Sequence, residues 1–300
     1  MKVFSGNSNK KLATKIAGKL NLELSPVEIF VFPDLEKRIR IKEKVLGEDC
    51  VIIQTASTPP DENYMELFIM IDALKRSGAK SVKAVIPYLG YQRQDHIFRS
   101  GEAVSLEVIA EILTRVGMTE AFSFDLHSPK IPEIFSVPVH HLSALPVFAQ
   151  KIKKDFILSE VVLVSPEMGG LRRIKEISEM LGQAAFATIT KNRDLASGEI
   201  NDSGLEGDIK GRIAVIVDDM ISTGKTMVEA SELLIENGAT KVYIFATHAV
   251  FARDADKLLQ NSKIERVVVS DTIDVPGYNL FPKLEIVSIA DVAANALKEQ

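Results

Sequence analysis

The chain contains no tryptophan, a single cysteine and only 6% aromatic residues among its 300. One thiol excludes an intramolecular disulfide and a thiolate zinc cage. That thiol, Cys50, precedes the apolar run Val51-Ile52-Ile53, which gives it the role of a small buried hydrophobe rather than of a nucleophile. Long apolar runs are missing as well. No stretch approaches the roughly 18 residues of a membrane-spanning helix, and Met1 to Gly6 carries no apolar core of a secretory signal. A soluble, cytoplasmic protein without a membrane partner is expected. A basic surplus is also lacking: the formal net charge is −5. Nucleic acid usually needs a dense basic patch, so no such partner is expected, although local basic clusters can still hold phosphate.

What the chain does have is alternation. Short β-branched runs at 50–54, 82–86, 121–125, 161–165, 213–217, 241–246 and 266–269 are separated by segments of helical period. Near-continuous apolar strands mean burial on both faces, and after Ser8 the residues Leu12, Ile16 and Leu20 recur on one helical face. This order predicts an α/β fold with mainly parallel sheets flanked by helices, and the length suits two cores. Residues 65–86 and 227–246 share a plan of apolar helix, Gly-Ala stop and strand, with Gly78-Ala79 matching Gly238-Ala239. Gly is a common helix stop in unrelated proteins, so this echo of one half in the other is weak by itself. The boundary is expected near Ser143, ahead of a helix that Pro146 opens. That gives an N-terminal domain over 1–143, a C-terminal domain over 144–287 and a helix at 288–300 that packs back on the first.

The densest chemistry lies in 213–226, IAVIVDDMISTGKT. An apolar strand delivers Asp218 and Asp219 at its carboxyl end, the edge where open α/β sheets bind ligands. A small polar turn and a helix follow, so successive backbone N–H groups and the positive helix end can cradle phosphate. Ser222, Thr223 and Thr226 add hydroxyls, and Gly224 permits close approach of the backbone. The two carboxylates suit the vicinal hydroxyls of a sugar. This stretch resembles the phosphoribosyl-binding loop shared by phosphoribosyltransferases and ribose-phosphate pyrophosphokinases, with Lys225 where the family usually has Gly. The loop alone does not separate the two groups.

Motifs in the first half separate them. Residues 87–96, PYLGYQRQDH, resemble the pyrophosphokinase segment that holds ATP, with Arg93 and Gln94 in the matching places. Arg93 offers a planar fork for phosphate oxygens, although a solvated basic loop has the same composition. His127 in FDLHS resembles the family's magnesium-linked histidine. Since Mg²⁺ prefers oxygen and keeps several waters, such a contact is unusual or partly water-mediated. Residues 30–36, FVFPDLE, match the adenine-recognition loop at Phe32, Asp34, Leu35 and Glu36; taken alone they read rather as a surface turn introduced by Pro33, and the resemblance reverses that preference. TITKNR at 188–193 places Lys191 and Arg193 where the family carries its catalytic pair, at the start of a polar flap. VSPEMGG at 164–170 matches a metal-site segment, with Glu167 where the family usually has Asp.

The resemblance spans nearly the whole chain, with the motifs in the expected order. It implies two phosphoribosyltransferase-like domains, ATP and ribose 5-phosphate as substrates, Mg²⁺ as cofactor, and a homo-oligomer whose ATP site is shared between subunits. The implied reaction transfers pyrophosphate from ATP to ribose 5-phosphate. Asp218, Asp219 and the 222–226 loop would bind the sugar phosphate. Arg93, Gln94 and the 32–36 loop would bind ATP, His127 and Glu167 the metal, and Lys191 with Arg193 the transition state. Two other readings stay open: a phosphoribosyltransferase, which would need no ATP motifs, and a non-catalytic regulatory paralogue, for which the departures at Glu167 and Lys225 leave room.

Overall fold

The structure, a computed structural model, describes residues 1–193 and 200–299, and the side chains of 191–203 lie outside the described residues. The chain divides into two compact units. Unit 1 comprises Met1–Ser143, Thr272–Asp274 and Ser288–Gln300, and unit 2 comprises Ala144–Asp271 and Val275–Val287.

Unit 1 runs β1 (Lys2–Ser5), α1 (Lys10–Lys19), β2 (Val27–Val31), β3 (Lys37–Ile41), β4 (Asp49–Ile53), α2 (Pro60–Arg76), β5 (Ser81–Val85), α3 (Ser105–Val116), β6 (Glu120–Phe124) and β7 (Val139–Leu142). Its main sheet has the order β1-β4-β5-β6-β7 and is parallel throughout. Cys50 to Ile53 in the second strand of that order are wholly buried, as a strand covered on both faces requires. Helix α2 opens on Pro60 with Asp61 and Glu62 in its first turn and closes with Lys75 and Arg76, all matched to the helix dipole. The pair β2–β3 is an antiparallel hairpin outside the main sheet; Val27, Ile39 and Ile41 pack it on the unit 1 core.

Unit 2 runs α4 (Leu145–Asp155), β8 (Val161–Ser165), α5 (Leu171–Met180), β9 (Phe186–Arg193), β10 (Ile200–Glu206), β11 (Ile213–Ile221), α6 (Lys225–Glu236), β12 (Lys241–Ala249), α7 (Ala255–Gln260), β13 (Arg266–Ser270) and β14 (Leu284–Val287); the last helix, α8 (Ala290–Lys298), belongs to unit 1 and contacts α1 there. The unit 2 sheet has the order β10-β9-β8-β11-β12-β13-β14, parallel except for the β9–β10 pair.

The strand order β1-β4-β5-β6-β7 of unit 1 reappears in unit 2 as β8-β11-β12-β13-β14. The sequence echo falls on α2–β5 and α6–β12. The match reaches single hydrogen bonds: the Gly47 N–H donates to the Gly78 carbonyl at 2.8 Å, and the Gly211 N–H donates to the Gly238 carbonyl at 2.8 Å. All four glycines have positive φ, which other residues adopt only under strain. Register then makes Gln54 the counterpart of Asp218, since Ile53 pairs with Val85 and Val217 with Phe245. The β1–β4 and β8–β11 registers likewise align Ser5 with Ser165.

Candidate active site

The strand expected over 213–217 continues to Ile221, because Met220 and Ile221 still pair with His248 and Ala249. Asp218 and Asp219 therefore stand inside the strand's last residues rather than beyond it. Asp219 is 4% exposed and Asp218 is half-buried. Arg173, from the first turn of α5, serves both: its Nη1 lies 2.7 Å from Asp218 Oδ1 and its Nη2 lies 3.4 Å from Asp219 Oδ1. The Asp219 N–H also donates to Asp218 Oδ1 at 2.9 Å. Burial first, and the charge of Asp219 second, push the Asp218 carboxyl well above the usual carboxylate range, while Arg173 pulls it back. The result is an acid pair held in a fixed orientation at the carboxyl edge of the sheet.

The turn after β11 is tied down by Phe251 N–H to the Ile221 carbonyl (3.1 Å) and Ala252 N–H to the Ser222 carbonyl (3.0 Å). Gly224 takes φ +77 and is packed so that a Cβ would lie 3.3 Å from Leu259 Cγ. Lys225 is thus spared the left-handed conformation and becomes the first residue of α6. That helix has no side-chain cap and no acidic residue in its first turn, so its leading N–H groups are left for an anion. Ser222 is half-buried and Thr223 and Thr226 are exposed beside it. The Lys225 ammonium is exposed, 3.7 Å from Glu229.

Glu167 is an exposed residue just past the end of β8. Its carbonyl accepts from Ser165 Oγ at 2.6 Å and from the Gly170 N–H at 3.2 Å. Gly170 packs against Ser165 Oγ too closely for any Cβ. The backbone of β9 runs past the end of β8, where Ser165 pairs with Thr188, and so carries Lys191 and Arg193 beyond that edge. The side chains of Lys191 and Arg193 lie outside the described residues.

In unit 1, a cleft of about 570 Å³ is lined by Arg93, Asp95, His96, Phe98, His127 and Lys130, among others. The fully buried Gln92 accepts the His127 N–H on Oε1 at 2.9 Å, which joins the two segments that carry Arg93 and His127. The Tyr64 hydroxyl donates to the Gly90 carbonyl at 2.8 Å, and the Tyr91 hydroxyl donates to Asp61. The structure thus brings Arg93 and His127 together. Gln94 is exposed and does not line the cleft; its backbone is fixed by its N–H to the Tyr91 carbonyl (2.8 Å) and by the Leu106 N–H (3.2 Å).

The 32–36 loop does not line that cleft either. It is the tip of the β2–β3 hairpin, closed by Phe32 N–H to the Glu36 carbonyl (2.8 Å) and by Glu36 N–H to Asp34 Oδ1 (3.2 Å), with Leu35 at φ +71. Phe30 and Phe32 meet edge to face at 4.9 Å, and the Arg38 guanidinium lies 5.2 Å and 5.7 Å from their ring centres. An aromatic face flanked by carboxylates is thereby held at the tip.

Sequence reasoning missed Arg173 and Gln92. Arg173 precedes the buried Ile174 and lies four residues before the buried Ile177, so its one signal was an arginine on the apolar stripe of a helix. Gln92 showed none. Among the described residues no group of three or more His, Cys, Asp or Glu side chains could hold a metal ion. Glu167, a lone hard oxygen donor, fits Mg²⁺ carried largely by water and substrate phosphates, the usual manner of that ion.

Residues 1–117 match the family model for the N-terminal domain of ribose phosphate pyrophosphokinase, and residues 189–299 match the phosphoribosyl synthetase-associated domain. A ribose-phosphate pyrophosphokinase of Fusobacterium nucleatum is 40% identical over 99% of this chain and 94% of its own length. One from Aquifex aeolicus is 38% identical over 99% and 95%. The crystal structure of phosphoribosylpyrophosphate synthetase from Mycobacterium smegmatis matches with a TM-score of 0.93 at 33% identity, covering 99% of this chain and 97% of that one. By sequence and by fold, the chain belongs to the ribose-phosphate pyrophosphokinase family.

Proposed function

We propose that this chain transfers the terminal pyrophosphate of ATP to the anomeric hydroxyl of ribose 5-phosphate, giving phosphoribosyl pyrophosphate and AMP. The observation that carries this reading is the acid pair Asp218 and Asp219, clamped by Arg173 at the edge where the uncapped start of α6 also lies. Two oriented carboxylates suit vicinal sugar hydroxyls, and uncapped N–H groups suit a phosphate. A phosphoribosyltransferase needs that site alone. Here the family match extends over unit 1 as well, with its cleft at Arg93 and His127.

In the reaction the anomeric oxygen bonds to the β-phosphorus of ATP and loses its proton. The bond from that phosphorus to the oxygen it shares with the α-phosphate breaks, and AMP leaves with that oxygen. Such transfers rest on positioning and charge neutralisation. The 222–226 loop binds the 5-phosphate, and Asp218 and Asp219 orient the ring. Arg93 and Gln94 hold the ATP phosphates, and Phe32, Asp34, Leu35 and Glu36 hold adenine. Lys191 and Arg193 stabilise charge as the pyrophosphoryl group moves. Glu167 and His127 are the residues that would hold Mg²⁺, which neutralises phosphate charge when bound.

The assembly is a homo-oligomer in which the hairpin tip of one chain completes the ATP site of another. Every residue from Phe30 to Glu36 is exposed, and none lines the cleft of its own chain. Incubation with ATP, ribose 5-phosphate and Mg²⁺, followed by identification of the adenine nucleotide formed, tests the reading. AMP is expected. ADP would mark an ordinary kinase, and no turnover a regulatory subunit.

A further inference from the structure

Glu66, on α2, is wholly buried. Its Oε1 accepts the Asn7 N–H at 2.6 Å and Gln54 Nε2 at 3.1 Å; its Oε2 accepts Asn7 Nδ2 at 3.0 Å and Lys37 Nζ at 3.0 Å. A buried carboxylate is tolerable only when paired and fully hydrogen-bonded, and these donors meet that demand. Three of the four come from the strand-end cradle of unit 1. The register places Gln54 where unit 2 has Asp218, and the turn at Gly6–Ser8 where unit 2 has the turn that carries Glu167. Gln54 Oε1 also takes the Ser8 N–H at 3.1 Å and the Ser8 hydroxyl at 2.6 Å. In unit 1 the backbone donors at this edge are therefore spent on side chains of the protein itself.

The fourth donor comes from elsewhere. Lys37 is the residue immediately after the 32–36 loop and the first of β3. Its ammonium lies 3.0 Å from Glu66 Oε2 and 3.3 Å from the Glu62 carbonyl, so it grips two successive turns of α2. From Phe30 to Glu36 every residue is exposed, whereas the Lys37 side chain is only 13% exposed. An isolated two-stranded hairpin is marginal in water, and of the apolar anchors of this one Val27 and Ile41 lie at its far end and Ile39 midway along it. Lys37 holds the end that carries the tip. Its neighbour Arg38 points the other way and covers Phe30 and Phe32, as strand alternation requires.

We infer that Lys37 is a positioning residue for ATP: pinned to the buried carboxylate of Glu66 in the closed cradle of unit 1, it sets the height and angle of the adenine loop. The inference rests on the adenine role given to that loop above. Small misplacements of binding groups are expensive, so Lys37→Met should weaken ATP binding about tenfold. The KM for ATP should rise to match, with kcat and the KM for ribose 5-phosphate within about twofold of wild type. Lys37→Arg, which keeps the charge, should recover most of the affinity.

ATP binding by calorimetry, in the intact oligomer with Mg²⁺ and without ribose 5-phosphate, separates this inference from the reaction itself. If wild type binds ATP but forms no AMP, and Lys37→Met binds it about tenfold more weakly, the inference stands while the assigned reaction falls. Equal ATP affinity in folded wild type and Lys37→Met overturns the inference, whatever the turnover. A parallel rise in both KM values with a fall in kcat also overturns it, because a general loss of structure would do that. Should Lys37→Met fail to fold, Lys37→Gln and Lys37→Arg make the same comparison, and equal ATP affinity in those two overturns it as well.

Discussion

The Arg173 guanidinium lies 2.7 Å from the Asp218 carboxylate, so a cation from a helix opposes the burial and the Asp219 charge that raise an acid on a strand. On the proposed reading Asp218 meets the sugar hydroxyls as an anion, and the anion is lost as pH falls through its raised value. Arg173 opposes that rise; removing it raises the value further. Arg173→Met should therefore move the acid limb of kcat/KM for ribose 5-phosphate to higher pH, and lower kcat/KM at neutral pH by about tenfold or more. A pH profile with an unmoved acid limb would show that Arg173 has only a packing role.

The same pair predicts a trade between stability and binding. Because the native fold raises Asp218, the folded protein holds that proton more tightly than the unfolded chain does. Stability then falls as pH rises from the unfolded value toward the native one, and the deficit persists above it. Asp218→Asn removes the deficit and leaves Arg173 paired with Asp219. Its Tm at pH 8 should rise by about 2–4 °C, and the gain should shrink as pH is lowered toward about 5. Its affinity for ribose 5-phosphate should drop. Calorimetric melts at the two pH values check the sign.

A site shared between chains can be rebuilt by mixing. Phe32→Ala and Arg93→Ala should each lose most activity, Phe32→Ala through ATP affinity. A mixture that exchanges subunits should recover part of it, because some interfaces then contain one intact site. Recovery is absent if both residues act within one chain.

Lys225 lies at the first position of α6 with Gly224 bearing the positive φ, so the departure from the family residue brings no backbone strain. On the proposed reading its ammonium adds a charge-assisted contact for the 5-phosphate. Lys225→Gly should raise the KM for ribose 5-phosphate several-fold and leave the KM for ATP alone. Glu167→Asp shortens a side chain beside Gly169 and Gly170, and should shift the preference between Mg²⁺ and the more permissive Mn²⁺. Steady-state kinetics with each metal read both variants.

The chain wrote its strands and helices openly. β4 and β8 are buried apolar runs, and Gly78 follows the end of α2 as the Gly-Ala stop requires. The segment from Asp218 to Thr226 was legible for the same reason, since its residues are consecutive. Arg173 and Asp218 are 45 positions apart, and Lys37 and Glu66 are 29 apart. Each of those pairs joins a helix to a strand that only tertiary packing brings together, and no local period records that packing. The extent of β11 was misread for a related reason: its last residues are held by pairing to β12 and not by their own propensity.

Cys50 is sealed between β1 and β5, paired with Lys2 and Val82, and burial pushes its thiol up to about 11. The thiolate is the form that attacks thiol reagents, so they reach this protein only when that part of the sheet opens. The rate of modification is then a clock for the opening of unit 1 and is silent about unit 2. A cysteine introduced at the exposed Leu35 would be the sole fast-reacting position, and a dye placed there would report on the hairpin tip without any background to subtract.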